Sequence, residues 1–195
     1  MGGNSERLRR LLRSVGSPPA YPVTLFVSSQ PCTERGRWFA ELAAALSAEL
    51  VTTRAADNDS ARFAERIASA LISGLGAGTG STREPGADAA TAEGRTTAPA
   101  RSGEAMPSAL VHAIDLRAEE GCAKVIAVDC LERIDSPEVL ATLALFIERL
   151  PPEVRLLLSS SCLPSIGVPR LLVRDHLLLL RVGHGGELIS DERSE

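Results

Sequence analysis

The chain has 195 residues, enough for one domain with a substantial core. A formal net charge of −4 argues against binding driven by attraction to phosphate, and an aromatic content of 3% argues against a surface that stacks bases. Of the 21 basic residues only Lys124 is a lysine, and it precedes Val125 in an apolar run. It is therefore not the lysine of a phosphate-binding loop, which must precede Ser or Thr.

The N-terminal 16 residues predict an amphipathic helix, with Leu8, Leu11, Leu12 and Val15 on one face. No apolar run approaches the roughly 18 residues that a membrane span needs, so we expect no membrane contact.

The cysteines are scattered along the chain without a CxxC pair, and the three histidines have no partner at ligand spacing. We therefore expect no metal site, core thiols rather than disulfides, and a reducing cytoplasmic location. The four cysteines are Cys32, Cys122, Cys130 and Cys162.

The first half of the chain predicts two strand–helix units. Residues 23–28 form a short apolar strand, a loop covers residues 29–37, and apolar residues then recur at helical spacing as far as Leu50. A second strand is predicted at 50–53. Polar residues 57–60 supply candidate N-caps for a helix through Leu71.

Residues 73–107 differ in composition, since they contain no Val, Ile or aromatic residue, and they predict a flexible Gly/Ala/Thr-rich linker. The predicted domain therefore comprises residues 1–72 and 108–192, with 193–195 as a tail.

After the linker, a helix ending at Gly121 leads to the apolar strand 124–130. Ser136 and Pro137 predict the start of the next helix, and strand 154–160 follows. A short helical piece near Leu171 precedes the last predicted strand, 176–182. Strands that are apolar throughout are typical of a parallel sheet covered on both faces, so we predict an α/β fold with about five mostly parallel strands flanked by helices.

Ligands of such sheets bind where strands end and helices begin. Asp129 ends one apolar strand and could hold a Mg²⁺ water shell, although an aspartate is also a common turn former. Ser159, Ser160 and Ser161 could bond a phosphate or simply form a loop of small polar residues. The loop after the first strand has no glycine before Gly36 and offers Glu34, which would repel phosphate.

Three stretches resemble the N-terminal STAND-class P-loop NTPase domain of the large, MalT-like LuxR-type transcriptional regulators. They are RAADNDSARFAERIASAL, the segment from KVIAVDC to LPPEVRLLLSSSCLP, and residues 168–192. The resemblance implies a three-layer P-loop NTPase-like fold. It also implies that Asp129 corresponds to the Walker B aspartate.

Aligned with the family's loop, SAPAGYGKTTLLAQW, residues 28–42 put Glu34 on the last glycine, Arg35 on the lysine and Gly36 on the Mg²⁺-binding Thr. Cys130 replaces the second Walker B acid, and Ser161 the sensor arginine. Asp129 and Arg35 are then vestiges of a nucleotide site, because the bulky guanidinium does not simply replace an ammonium.

The resemblance implies a catalytically degenerate domain, a pseudo-ATPase without a cofactor that acts as a regulatory or protein-interaction module. Its expected partner is a protein, such as a full-length related regulator, and no direct DNA binding is expected. Two alternatives stay open: a switch that binds ATP or ADP, with Mg²⁺, without hydrolysis, and a fragment of a larger transcriptional regulator.

Overall fold

The computed structural model describes residues 21–73, 106–183 and 188–192. Strands and helices follow one another in an α/β arrangement, with short 3-10 turns at Ala55–Asn58 and Leu131–Arg133. The strands are β1 (Val23–Val27), β2 (Glu49–Thr52), β3 (Lys124–Asp129), β4 (Val154–Ser160), β5 (Leu177–Val182) and β6 (Leu188–Glu192). The helices are α1 (Cys32–Ala45), α2 (Ser60–Ile72), α3 (Ser108–Glu120), α4 (Pro137–Glu148) and α5 (Val168–Val173).

The six strands form a single sheet in the order β2-β3-β4-β1-β5-β6. All neighbouring pairs from β2 to β5 are parallel, which confirms the predicted mostly parallel sheet flanked by helices. The sixth strand is antiparallel to β5 and was not predicted. Its sequence, LISDE, ends in two acidic residues, which is typical of an edge strand but does not give the apolar signal of a buried one.

The alternation of side chains along each strand divides the core into two layers. One face of the sheet, with Leu25 and Val128, packs under residues of α2, α3, α4 and α5. The other face, with Phe26 and Leu157, packs against Trp38 and other residues of α1. Helix α1 follows β1 in the chain and covers this second face.

The structure confirms the predicted starts of α2 and α4 and the predicted end of α3. Asp59 accepts a hydrogen bond from the Arg62 amide at 2.8 Å, and Ser136 caps α4 with Pro137 in its first turn. Gly121 ends α3 in a left-handed conformation, with φ of 63°, which favours glycine. Helix α5 starts a few residues earlier than predicted, after Gly167.

Several predictions lie outside the described residues. They are the amphipathic helix at the N-terminus, nearly all of the 73–107 linker, and the 193–195 tail. In the parts of the chain that the structure describes, none of the helices has the length and apolar character needed to cross a bilayer.

Candidate functional site

Three adjacent strands bring the predicted site residues to one edge of the sheet. Because β3, β4 and β1 are parallel neighbours, their carboxyl ends lie side by side. Asp129 ends β3, Ser159 lies near the end of β4, and Arg35 lies in the first turn of α1, just beyond β1. The edge is therefore the place where a ligand site of this fold class is expected.

The connection from β1 to α1 is shorter than predicted. The sequence predicts a loop over residues 29–37, but α1 already begins at Cys32, so Glu34, Arg35 and Gly36 are helical. Pro31, with φ of −53°, stands immediately before the first helical residue, and its ring restricts it to a φ compatible with a helix start. The connection from Ser28 to Pro31 contains no glycine and is too short to wrap a phosphate chain.

Arg35 is fully buried and occupies the space between the three strand ends. Its Nε donates to Ser159 Oγ at 3.0 Å, and Nη1 donates to the Gln30 carbonyl at 3.4 Å. Its Nη2 forms a hydrogen-bonded ion pair with Glu132. The guanidinium is therefore neutralised and bonded within the protein, which is the condition for burying a charge without a large penalty.

Asp129 is also buried and faces the same cluster. Its Oδ1 accepts hydrogen bonds from Ser159 Oγ at 2.7 Å and from the Cys130 amide at 2.8 Å, and lies 3.9 Å from Arg35 Nε. Both predicted site residues, Asp129 and Arg35, thus come together, with Ser159 bridging them. The bonds to Oδ1 are internal, which is a structural role for a carboxylate that the sequence assigned to a Mg²⁺ shell.

Sequence reasoning missed Glu132. This residue lies in the 3-10 turn after β3, where one carboxylate oxygen accepts from Arg35 and the other from the Ser161 amide at 3.2 Å. It therefore ties the ends of β3 and β4 to α1. The available signal was an acid three positions after a strand-ending aspartate, which is too common to single out.

Cys32 and Cys130 form a disulfide across a sequence separation of 98 residues, so the prediction of core thiols is wrong for this pair. Without a CxxC spacing, only the fold could bring them together, by placing the start of α1 beside the end of β3. Of the other two, Cys122 and Cys162 are free but exposed, so they are not core thiols either.

The backbone at Cys130 adopts the left-handed conformation, with φ of 60°. Such a conformation costs a non-glycine residue about 1 kcal/mol or more and persists only where the surroundings fix it. Here the Asp129 carboxylate holds the Cys130 amide, and Thr53 Oγ1 donates to the Cys130 carbonyl at 2.5 Å.

Neither a metal ion nor a phosphate chain fits the cluster as it stands. Ligand atoms of Cys32, Cys130 and Glu132 lie within 4.8 Å of one another, but the two sulfurs are bonded to each other and the carboxylate accepts from Arg35. The Arg35 guanidinium lies between the three strand ends and is bonded to residues that follow or belong to each of them.

A pocket of about 220 Å³ opens beside this cluster, between the segments that follow β3 and β4. Its walls include the buried apolar side chains of Leu131, Ile134 and Leu140. They also include the half-exposed Leu163, the exposed Asp135 and Cys162, whose thiol is free. Glu132 contributes to the same wall and so connects the pocket to the buried Arg35.

No family model matches the chain, and no curated protein matches it either. Among solved structures, the chain is similar to the Walker-type ATPase Paby2304 of Pyrococcus abyssi, with 15% identity and a TM-score of 0.47. The match covers 83% of this chain and 45% of that protein, so the chain corresponds to less than half of its length.

Proposed function

We propose that this chain is a catalytically degenerate NTPase-fold domain that binds no nucleotide and acts as a regulatory, protein-interacting module. The resemblance of its C-terminal half to MalT-like LuxR-type regulators motivates the regulatory role, a cytoplasmic location and a related regulator as the partner.

The observation that carries this proposal is that each of the three guanidinium nitrogens of Arg35 donates a hydrogen bond within the protein. Phosphoryl transfer depends on positioned cations and on a metal held by carboxylates. Here the cation aligned with the P-loop lysine donates to Gln30, Ser159 and Glu132, and Asp129 accepts from its neighbours. A nucleotide would have to displace these contacts and expose a buried ion pair.

Isothermal titration with Mg-ATP and Mg-ADP tests the proposal. We expect no heat of binding up to millimolar nucleotide and no phosphate release. Binding at micromolar nucleotide would contradict it, as would turnover that Asp129→Asn abolishes. Binding without turnover would favour the non-hydrolysing switch. A matched control, Asp135→Asn, changes an exposed carboxylate on the same edge and leaves the cluster intact.

The pocket supports the protein-interaction role. Leu163, half exposed, stands on its wall with the apolar side chains of Leu131 and Ile134, and the exposed carboxylate of Asp135 lies on the same wall. A recess that combines apolar side chains with carboxylates complements a protein segment with an apolar anchor next to a Lys or Arg side chain. We therefore assign the partner to this edge of the sheet.

The two free thiols provide a matched pair of cross-linking sites. Cys162 lines the pocket, whereas Cys122 precedes β3 at the opposite edge of the sheet. With a photoreactive maleimide on Cys162 in Cys122→Ser, we expect cross-links to a segment that carries an apolar residue beside a basic one. Leu163→Asp should abolish these cross-links. Equal yields from a probe on Cys122 in Cys162→Ser would contradict the assignment.

A further inference from the structure

The disulfide between Cys32 and Cys130 links the start of α1 to the end of β3, which are far apart in the sequence. Cys32 is the first residue of α1, and Cys130 follows the last residue of β3. The proposed function makes no use of this bond, and the chemistry of the bond does not depend on whether the domain binds nucleotide.

The two cysteine residues differ in exposure. Cys130 is 1% exposed, whereas Cys32 is only partly buried. We infer from this difference that an external thiol reaches the sulfur of Cys32 more readily than that of Cys130. Thiol exchange depends on access and on which sulfur is attacked. This asymmetry therefore makes Cys32 the sulfur that is attacked and Cys130 the sulfur that leaves.

Two features near the Cys32 sulfur favour a negative charge on it. Cys32 stands at the N-terminus of a 14-residue helix, where the backbone dipole favours an anion, and Arg133 Nη2 lies 3.4 Å from its Sγ. The Glu132 carboxylate is also within 4.8 Å of both sulfurs, but it is paired with Arg35. These surroundings stabilise a thiolate at Cys32 once the bond is open, which is typical of reactive rather than structural cysteines.

The backbone on the other side of the bond is held in an unfavourable conformation. Cys130 is one of three non-glycine residues with positive φ in the described part of the chain. Strained residues of this kind concentrate at functional sites, where the surroundings maintain them.

We propose that Cys32–Cys130 is a reversible thiol-exchange site whose co-reactant is a small-molecule or protein thiol. The incoming thiolate attacks Cys32 Sγ, the Cys32–Cys130 bond breaks, and Cys130 leaves as a thiolate that takes up a proton. A second thiol then attacks the incoming sulfur, which releases Cys32 as a thiolate and forms the disulfide of the reductant. The protein gains two electrons, and two external thiols are oxidised to one disulfide.

Opening the bond frees the first turn of α1 from the end of β3. The contacts that remain between the two are non-covalent: those of Arg35 with Asp129 and Glu132, and that of Arg133 with Cys32. The reduced form should therefore exchange amide hydrogens faster at residues 32–37 and 130–133, whereas α3, remote from the bond, should not change and serves as the internal control.

The test uses the oxidised full chain with Cys122→Ser and Cys162→Ser, so that only the pair remains. Millimolar glutathione in native buffer, followed by an acid quench and peptide mapping, should place the mixed disulfide on Cys32 at least about tenfold more often than on Cys130. Reduction that requires urea, or equal labelling of the two cysteines, would overturn the proposal. So would finding both as free thiols after aerobic purification.

A second measurement does not depend on the disulfide-bonded form. In Cys130→Ser, iodoacetamide should alkylate Cys32 faster than the exposed Cys122 at pH 7, and adding Arg133→Met should slow Cys32 about threefold or more. The matched control, Arg37→Met, removes an exposed arginine of the same helix and should leave the rate unchanged. If Cys130→Ser does not fold, the same comparison is made on reduced wild-type protein. Alkylation of Cys32 no faster than of Cys122 would overturn the proposal.

Discussion

A Cβ atom at Gly36 would lie 3.0 Å from Oδ2 of Asp129, so helix α1 approaches the end of β3 closely enough that any larger residue would require the carboxylate to shift. The carboxylate has little freedom to withdraw, because its other oxygen is fixed by Ser159 and by the Cys130 amide. The close approach is what lets the next residue toward the N-terminus, Arg35, reach the strand ends.

Gly36→Ala tests this contact. Alanine gains about 1 kcal/mol of helix propensity over glycine, but the overlap with Asp129 should outweigh that gain and lower the free energy of unfolding by about 1 kcal/mol. Urea denaturation measures the change. In the Asp129→Ala background, where the overlap is removed, Gly36→Ala should instead be neutral or stabilising; an equal loss in both backgrounds would contradict the interpretation.

Arg35→Met should lower the free energy of unfolding by about 3 kcal/mol or more, because it leaves the largely buried Glu132 without its cation. Combining it with Glu132→Gln should restore part of this loss, since the unpaired charge is then gone. Chemical denaturation of both single variants and the double variant gives the coupling energy. Additive losses would show that the ion pair contributes nothing.

Lys124→Met should destabilise the protein by about 1–2 kcal/mol. The Nζ atom of Lys124 donates to the Ser73 carbonyl at 3.1 Å and to its hydroxyl at 2.7 Å, just beyond the last turn of α2, and lies 3.6 Å from Glu49. Thermal and urea unfolding measure the loss. As a control, Arg170→Met removes an ion pair of a half-exposed arginine with Glu148 and should change stability by less than about 0.5 kcal/mol.

Reduction of the Cys32–Cys130 disulfide should lower the free energy of unfolding by about 4–5 kcal/mol, because the bond closes a loop of 98 residues in the unfolded chain. Urea denaturation with and without reductant measures this difference. Cys32→Ser should abolish the effect of the reductant. A reductant effect of the same size in that variant would assign it to some other part of the chain.

The sequence predicted the sheet and its flanking helices well, because buried parallel strands are apolar throughout and the caps at Asp59, Ser136 and Gly121 have specific residue types. It missed β6, whose acidic residues do not distinguish an edge strand from a loop. The early start of α1 was missed because a run of polar and charged residues was interpreted as a loop.

At the site, the sequence singled out Asp129 as a carboxylate that ends a strand, and the family resemblance singled out Arg35 at the position of the P-loop lysine. The partners that complete the cluster depend on contacts across 97 and 124 residues, from Arg35 to Glu132 and to Ser159. No local pattern encodes such contacts, and the same holds for the disulfide. Folding alone brings them together.

The single tryptophan gives this protein a built-in optical reporter. Trp38 is 8% exposed, its Nε1 donates to the Gln30 side chain at 3.0 Å, and its ring packs edge-on against Phe26 and Phe39. Gln30 is also the residue whose carbonyl accepts from Arg35. Any rearrangement of the β1–α1 connection changes the polarity around the indole, so its emission wavelength can follow the state of this edge of the sheet without an added label.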